Sequence, residues 1–236
     1  MSQGLRLELA IAVRGYEMDT RGAVTPGSLA RYAEHARWEA VRSGGLGLEA
    51  HLFNCVVRAQ RLVMHAPAVW PDELLVSTWI GRVGRTSFDF VHRISRPGDG
   101  RVIAEDATTA VCIDASGPIA VPDAVRSLVL DDGGPSLEGP PASAPADAWE
   151  AALIPRPSDQ DVLRHVNQAR HVDFVEDARR GAGLGETTRS VWIEHVLEAR
   201  AGDSLRVLAW ALPDGSCAVE VRRADDGRPV TRARLD

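Results

Sequence analysis

Apolar residues along the chain first alternate as in a strand, then recur at the spacing of a helix, and then alternate again. Residues 5–14 alternate between apolar and polar and predict a strand. A Thr25-Pro26 step of the kind that begins helices follows, and small and apolar residues then recur at helical spacing as far as Arg42. Beyond that helix the period returns to two. Strands are expected at residues 55–64, 73–80, 86–94 and 101–113.

The second half of the chain repeats this order. A strand at 148–155 is followed by a helix that begins near Asn167, and further strands are expected at 191–199, 204–212, 216–223 and 229–235. Subtracting 142 maps Asp161 onto Asp19, and it places Val-Glu-Asp-Ala-Arg at 175–179 over Ala-Glu-His-Ala-Arg at 33–37. An internal repeat of this kind indicates two copies of one structural unit.

A segment rich in glycine, proline and serine separates the two copies. We therefore expect an N-terminal repeat at residues 1–130, a linker at 131–147 and a C-terminal repeat at 148–236. One long helix with several antiparallel strands in each copy predicts an α+β architecture in which each sheet wraps around its own helix. The two copies would dock as a pseudo-dimer, which could pair again as a homodimer.

Composition narrows the range of partners. Hydrophobic residues make up 44% of the chain and charged residues 25%, which is typical of a globular protein with a real core. The net charge of −6 provides no basic field for nucleic acid. The apolar runs are too short to span a membrane, and residues 1–9 lack the apolar core of a signal peptide. We expect a cytoplasmic protein.

The cysteines and histidines give no sign of a metal or cofactor. Cys55, Cys112 and Cys217 are far apart in the sequence and odd in number, so no disulfide framework or metal-ligand spacing follows. The seven histidines are scattered. We expect three small buried residues in strands, no metal and no cofactor.

Candidate chemistry is concentrated where the second long helix should begin. Asp161 and His165 lie just before Asn167, at the expected helix start. A helix start presents free backbone N–H groups and a partial positive charge, which suit a carbonyl oxygen that is becoming negative. The sequence therefore predicts an acid, an imidazole and backbone donors at one place.

Several motifs, in this order and spacing, resemble a known family. The helix-in-sheet repeat resembles the hotdog fold, and the tandem version resembles the acyl-acyl carrier protein thioesterases of plants and bacteria. The motifs in which the resemblance lies are Val13–Glu17, Pro71–Gly81, Val121–Val125, Ser158–Asp161 and His165–Asn167.

The resemblance implies a set of site residues. The family carries an Asp-x-Asn-x-His run, a glutamate on the next strand and often a cysteine beside it. Asp161, His165 and Glu198 match the aspartate, the histidine and the glutamate. Leu163 stands at the position of the asparagine and Ala199 at that of the cysteine, so a thiol nucleophile is not expected.

The implied activity is hydrolysis of the thioester of an acyl carrier protein or of coenzyme A. In this interpretation Glu198 activates water and the helix start near His165 supplies N–H donors. His165 orients or polarises the substrate, and Asp161 fixes the tautomer of His165. Asn167 and Leu163 would contact the substrate. The first copy has Ala23 and Pro67 at the positions of the histidine and the glutamate, so it would serve only as a wall for the acyl chain.

Other interpretations of the same residues stay open. Asp161 and Asn167 could be turn or capping residues, His165 could be a surface or packing residue, and Glu198 could be structural. The activity could instead be chain release from a polyketide-type carrier. The loss of the amide at Leu163 and the degenerate first copy would also fit a non-catalytic acyl-binding module.

Overall fold

The computed structural model describes residues 6–43, 55–130, 133–140 and 143–236. Leu5 of the first predicted strand and residues 131–132 and 141–142 of the predicted linker lie outside this part. The chain forms two compact units, residues 1–136 and 137–236. The division falls inside the segment expected to be a linker. The docking of the two units as a pseudo-dimer stays a prediction.

The N-terminal unit contains six strands and two helices among its described residues. They are β1 Leu7–Ala12, α1 Pro26–Arg42, β2 Cys55–Met64, β3 Glu73–Val83, β4 Ser87–Arg96, β5 Arg101–Asp114, β6 Gly117–Pro118 and α2 Asp123–Arg126. Its antiparallel sheet has the order β1-β3-β4-β5-β2, and β6 pairs with β5. The short β6 and α2 were not expected from the hydrophobic period.

The C-terminal unit repeats this plan without β6 and α2. Its elements are β7 Trp149–Leu153, α3 Gln168–Gly181, β8 Ser190–His195, β9 Leu205–Ala211, β10 Cys217–Arg223 and β11 Pro229–Leu235. The antiparallel sheet has the order β7-β9-β10-β11-β8. Each strand therefore has the same neighbours as its counterpart in the first unit, as the predicted duplication requires.

Both long helices begin with a side-chain cap. The hydroxyl oxygen of Thr25 accepts a hydrogen bond from the backbone N–H of Ser28, and Pro26 takes the first helical position, where a missing N–H costs nothing. The side chain of Asn167 accepts from the backbone N–H of Ala169. The face of each helix that packs on its sheet carries small residues, such as Ala33 and Ala36 in α1.

Two features of the structure were not expected from the sequence. Cys55 and Cys112 are far apart in the sequence, but β2 and β5 place them directly opposite each other with their Sγ atoms 3.4 Å apart. Both are free thiols. The segment expected to be a linker also packs closely at Gly134. A Cβ atom added there would lie only 2.9 Å from the side chain of Val91, so a larger residue would not fit without a shift.

Candidate active site

The loop before α3 is folded by the carboxylate of Asp161. Its Oδ1 atom accepts hydrogen bonds from the backbone N–H groups of Leu163, at 2.8 Å, and His165, at 3.3 Å. The backbone N–H of Asp161 donates to the carbonyl oxygen of His165 at 2.9 Å and closes the turn. This is the usual way in which an aspartate stabilises a tight loop. The arrangement fixes where the side chain of His165 begins.

His165 and Glu198 form the central contact of the site. The Nε2 atom of His165 lies 2.9 Å from Oε2 of Glu198, and the two side chains are 35% and 48% exposed. The expectation that Glu198 lies on a strand is wrong, because β8 ends at His195, three residues earlier. Glu198 is brought to the loop by a backbone hydrogen bond of 2.7 Å from Val166 to the carbonyl oxygen of Ala199.

The other carboxylate oxygen of Glu198 is also held. Nη2 of Arg200 lies 3.0 Å from Oε1 of Glu198, and the arginine side chain is itself well exposed. Each oxygen of the carboxylate therefore faces a nitrogen donor. This contact fixes the rotamer of a glutamate that would otherwise be free to move in solvent.

The backbone donors expected at His165 to Asn167 are already in use. The N–H of His165 donates to Asp161, that of Val166 to Ala199, and that of Asn167 to the carbonyl oxygen of Asp159. The Oδ1 atom of Asp161 binds backbone N–H groups and Nε2 of His165 contacts Glu198, so the expected role of Asp161 in fixing the tautomer of His165 stays a prediction. Donors for a developing oxyanion must come from elsewhere.

Asn167 and Leu163, the two residues expected to bind substrate, lie on either side of His165. The side-chain oxygen of Asn167 caps α3 through the N–H of Ala169, at 2.8 Å. Leu163 lies near the tip of the loop and is 53% exposed, beside Val162, which is 80% exposed. The expected roles of Asn167 and Leu163 in substrate binding stay predictions.

Gln168, which directly follows the His-Val-Asn step, is a polar residue that the sequence interpretation missed. It is the first residue of α3, and its side-chain Nε2 and Oε1 atoms are both buried without a hydrogen-bond partner in the described part of the chain. Buried amides are normally hydrogen-bonded, so such an exception needs an explanation. The available signal was a glutamine directly after the His-Val-Asn step.

A polar pocket opens beside Glu198. It has a volume of about 540 Å³ and lies between the segment that follows β8 and the hairpin that joins β10 to β11. Its lining consists of Glu198, Arg200, Gly202, Asp203, Ser204, Arg223 and Asp225. The glutamate can thus be reached from solvent.

The N-terminal unit contains the same loop without the same chemistry. Oδ1 of Asp19 accepts from the N–H groups of Arg21, at 2.9 Å, and Ala23, at 3.3 Å, just as Asp161 does in the second unit. The backbone N–H of Val24 donates to the carbonyl oxygen of Ala68 at 2.8 Å. Pro67 therefore stands at the position of Glu198, as the sequence comparison predicted.

One backbone position in the C-terminal loop is strained. Arg164 has a φ of 62°, in the left-handed region that non-glycine residues seldom adopt. Its counterpart in the first unit is Gly22, with a φ of 80°, which adopts this conformation without cost. Strain of this kind is often found at functional sites.

One known protein family matches part of the chain. Residues 13–129 match the family described as the thioesterase-like superfamily. Over its whole length the chain is 21% identical to an acyl-[acyl-carrier-protein] hydrolase, chloroplastic FATB2 of Cuphea viscosissima, and it spans 63% of that relative's length. Over 110 residues it is 27% identical to the long-chain acyl-CoA thioesterase FadM of Escherichia coli (strain K12). This match covers 46% of the present chain and 83% of FadM.

Solved structures share the complete fold. The 12:0-ACP thioesterase from Umbellularia californica superposes with a TM-score of 0.86 at 21% identity, covering 99% of this chain and 97% of that one. An acyl-ACP thioesterase from Bacteroides thetaiotaomicron gives a TM-score of 0.79 at 18% identity, covering 98% and 96%. The predicted tandem hotdog fold is confirmed, and so is the resemblance to acyl-acyl carrier protein thioesterases.

Two further features of the described residues concern membranes and metals. Among the residues that the structure describes, none of the helices combines the length and apolar character that a membrane span requires. The described chain also contains no group of three or more histidine, cysteine, aspartate or glutamate side chains that could hold a metal ion.

Proposed function

We propose that the protein is a thioester hydrolase that acts in the cytoplasm on acyl groups carried by an acyl carrier protein or by coenzyme A. The observation that carries this proposal is the 2.9 Å contact between His165 and Glu198, beside a pocket that Glu198 lines. A carboxylate held by an imidazole next to open solvent is suited to activate a water molecule. Two proteins that are similar to the chain bear the names of acyl thioester hydrolases.

In the proposed reaction Glu198 removes a proton from water, and the oxygen of the water attacks the thioester carbonyl carbon. The carbonyl oxygen becomes negative, the carbon–sulfur bond then breaks, and the thiolate takes up the proton from Glu198. The products are a free acid and a thiol. His165 orients the carboxylate, and Asp161 holds the loop that carries His165.

The donor for the oxyanion is assigned to the side chain of Gln168 in this proposal. The backbone N–H groups of residues 165–167 are occupied, whereas Nε2 of Gln168 has no partner in the described part of the chain. Removal of one oxyanion donor typically lowers kcat by about 10²- to 10³-fold. Gln168 would in this way replace the amide that Leu163 does not supply.

The test is a thiol-release assay over a panel of acyl carrier protein and coenzyme A thioesters. Glu198→Gln and His165→Ala are each expected to lower turnover by about 10²-fold or more. The chain offers a matched control pair, since His65 and Glu105 form a similar partly exposed contact of 3.1 Å in the other unit. His65→Ala and Glu105→Gln should leave turnover unchanged, and full activity in both site variants would refute the assignment.

A non-catalytic acyl-binding module is the second candidate. The exposed Leu163 at the position of the family's asparagine favours it, because no side-chain amide is available there to orient water. This candidate predicts that acyl thioesters bind without release of thiol, and that Glu198→Gln changes neither result. Chain release from a polyketide-type carrier would appear in the same assay as a preference for that class of acyl group.

A further inference from the structure

The N-terminal unit has a buried row of polar side chains on the helix-facing side of its sheet. His92 on β4 and Asp106 on β5 are direct partners in the sheet, both are 0% exposed, and Nδ1 of His92 lies 2.8 Å from Oδ2 of Asp106. The same carboxylate accepts from Nε2 of Gln60 at 2.7 Å and from the hydroxyl of Thr108 at 2.9 Å. It thus serves three neutral donors.

These bonds leave other polar atoms of the row without a partner. Because Nδ1 of His92 donates to Asp106 and burial lowers the pKa of this histidine, its Nε2 atom is a bare acceptor. Within the described residues, four buried atoms of the row and of α1 lack any hydrogen bond. They are Nε2 of His92, Oε1 of Gln60, Oγ1 of Thr78 and Nη1 of Arg37.

These groups lie together. Thr78 is the direct partner of His92 on the neighbouring strand. The guanidinium of Arg37 interacts electrostatically with Asp106 and His92 and lies 5.6 Å from the ring of Phe90, which is on the same face two residues before His92. The unpartnered atoms of Thr78, His92 and Arg37 therefore lie near one another on the α1 side of the sheet. Gln60 lies on β2, two strands away from His92, and is joined to this group through Asp106.

The duplicated unit shows that this fold does not need a polar row. The turn at 97–100 joins β4 to β5, and the turn at 224–227 joins β10 to β11 in the same way. Aligning these two turns places Val219 at the position of His92 and Ala233 at the position of Asp106. Thr78 and Gln60 have apolar counterparts as well. The equivalent set in the second unit is Ala209, Val219, Ala233 and Val191, which are all buried.

The unpartnered atoms define the chemistry of a ligand that would satisfy them. Two are acceptors, one is a hydroxyl and one is a guanidinium donor. A methylene group would leave all four unpaired, and a ketone or carboxylate would bring no hydrogen to Nε2 of His92. A hydroxyl group both donates and accepts, so it could donate to Nε2 of His92 and accept from the neighbouring groups of Thr78 and Arg37.

We propose that the space between α1 and the N-terminal sheet binds an acyl chain that carries a hydroxyl group, with His92, Thr78 and Arg37 as the residues that recognise the hydroxyl. The inference rests on the proposed function, since acyl chains are what that reaction handles. The rest of this interior is apolar, with Leu62, Ile80 and Ile94 fully buried around the polar row. Hydrocarbon would contact these side chains and the hydroxyl would reach the row.

The experiment measures equilibrium binding of free acids to the full chain, so that it does not depend on hydrolysis. Dodecanoate is compared with hydroxydodecanoates that carry the hydroxyl at successive positions, by calorimetry. At least one hydroxy acid is expected to bind about 10-fold more tightly than dodecanoate, which corresponds to about 1.4 kcal/mol. Thr78→Val, which removes a hydroxyl at constant shape, is expected to remove most of this preference.

The matched control is Thr231→Val, because Thr231 is an equally buried threonine in the other unit, where its hydroxyl contacts His171. It should keep the preference. The imidazole ¹⁵N signals of His92 give a second readout, which does not require a variant to fold: the hydroxy acid should shift the Nε2 signal and dodecanoate should not. Equal affinity for both acids, or an Nε2 signal that no ligand moves, would overturn the proposal even if thioesters are hydrolysed.

Discussion

The pH dependence of stability should carry the signature of His171. This residue of α3 is 4% exposed, and its Nδ1 atom lies 2.8 Å from the hydroxyl oxygen of Thr231. Burial lowers the pKa of His171 to about 4, whereas an unfolded histidine titrates near pH 6.5. Between these values the unfolded chain binds a proton that the folded chain does not.

The sign and size of the effect follow from this difference. Protons favour the state that binds them, so the free energy of unfolding must fall as the pH drops from about 6.5 towards 4. A shift of about 2.5 pH units is worth about 3 kcal/mol in full, of which about 2 kcal/mol should already be lost at pH 5. Above pH 7 the group contributes no pH dependence.

Urea unfolding of the wild type and of His171→Gln between pH 5 and pH 8 measures this loss. Glutamine can still bond to Thr231 but cannot titrate. The wild type should therefore lose about 2 kcal/mol more than the variant over this range. Comparing the two proteins removes the pH dependence that other groups contribute to both, including the buried His92. His35→Gln, on the exposed side of α1, controls for the loss of an imidazole. Parallel curves for wild type and His171→Gln would refute the reasoning.

Two further predictions concern the backbone and the thiols. Arg164→Gly should leave the free energy of unfolding within about 1 kcal/mol of wild type, because relief of the left-handed strain offsets the entropic cost of glycine. Arg164→Val should lower the free energy of unfolding by more than about 1 kcal/mol in urea titrations. Equal effects of the two substitutions would contradict the assigned conformation. Burial raises the pKa of Cys55 to about 12, so a disulfide reagent at pH 8 should label it at least ~100-fold more slowly in the folded protein than in urea. Fast labelling of Cys55, isolated in a Cys112→Ser Cys217→Ser background, would contradict this.

Local signals in the sequence predicted most of the fold. The Thr25-Pro26 step begins α1 as expected, and the offset of 142 residues between Asp19 and Asp161 relates two loops with the same hydrogen bonds. These features depend on neighbours within a few residues. Repetition of the pattern then implies that the second sheet copies the strand order of the first.

The features that the sequence analysis missed depend on how strands pair and where they end. Cys55 and Cys112 meet because β2 and β5 pair in one particular register, which spacing along the chain does not reveal. Glu198 continues the alternating pattern of β8, so the end of the strand at His195 left no trace in the hydrophobic period. A polar His92 at an inward position after Phe88 and Phe90 was a visible signal of the buried row.

The two copies of the loop separate residues that fold it from residues that could do chemistry. Asp19 and Asp161 make the same backbone hydrogen bonds, so an aspartate at this position is explained by the turn alone. His165 and Glu198 have no such explanation, because Ala23 and Pro67 build the same backbone in the other unit. The contact between His165 and Glu198 is therefore an addition to a loop that folds without it, and it leaves both side chains partly exposed beside a pocket. That difference between the copies, more than the shared aspartate, is why the proposed reaction is assigned to the C-terminal loop.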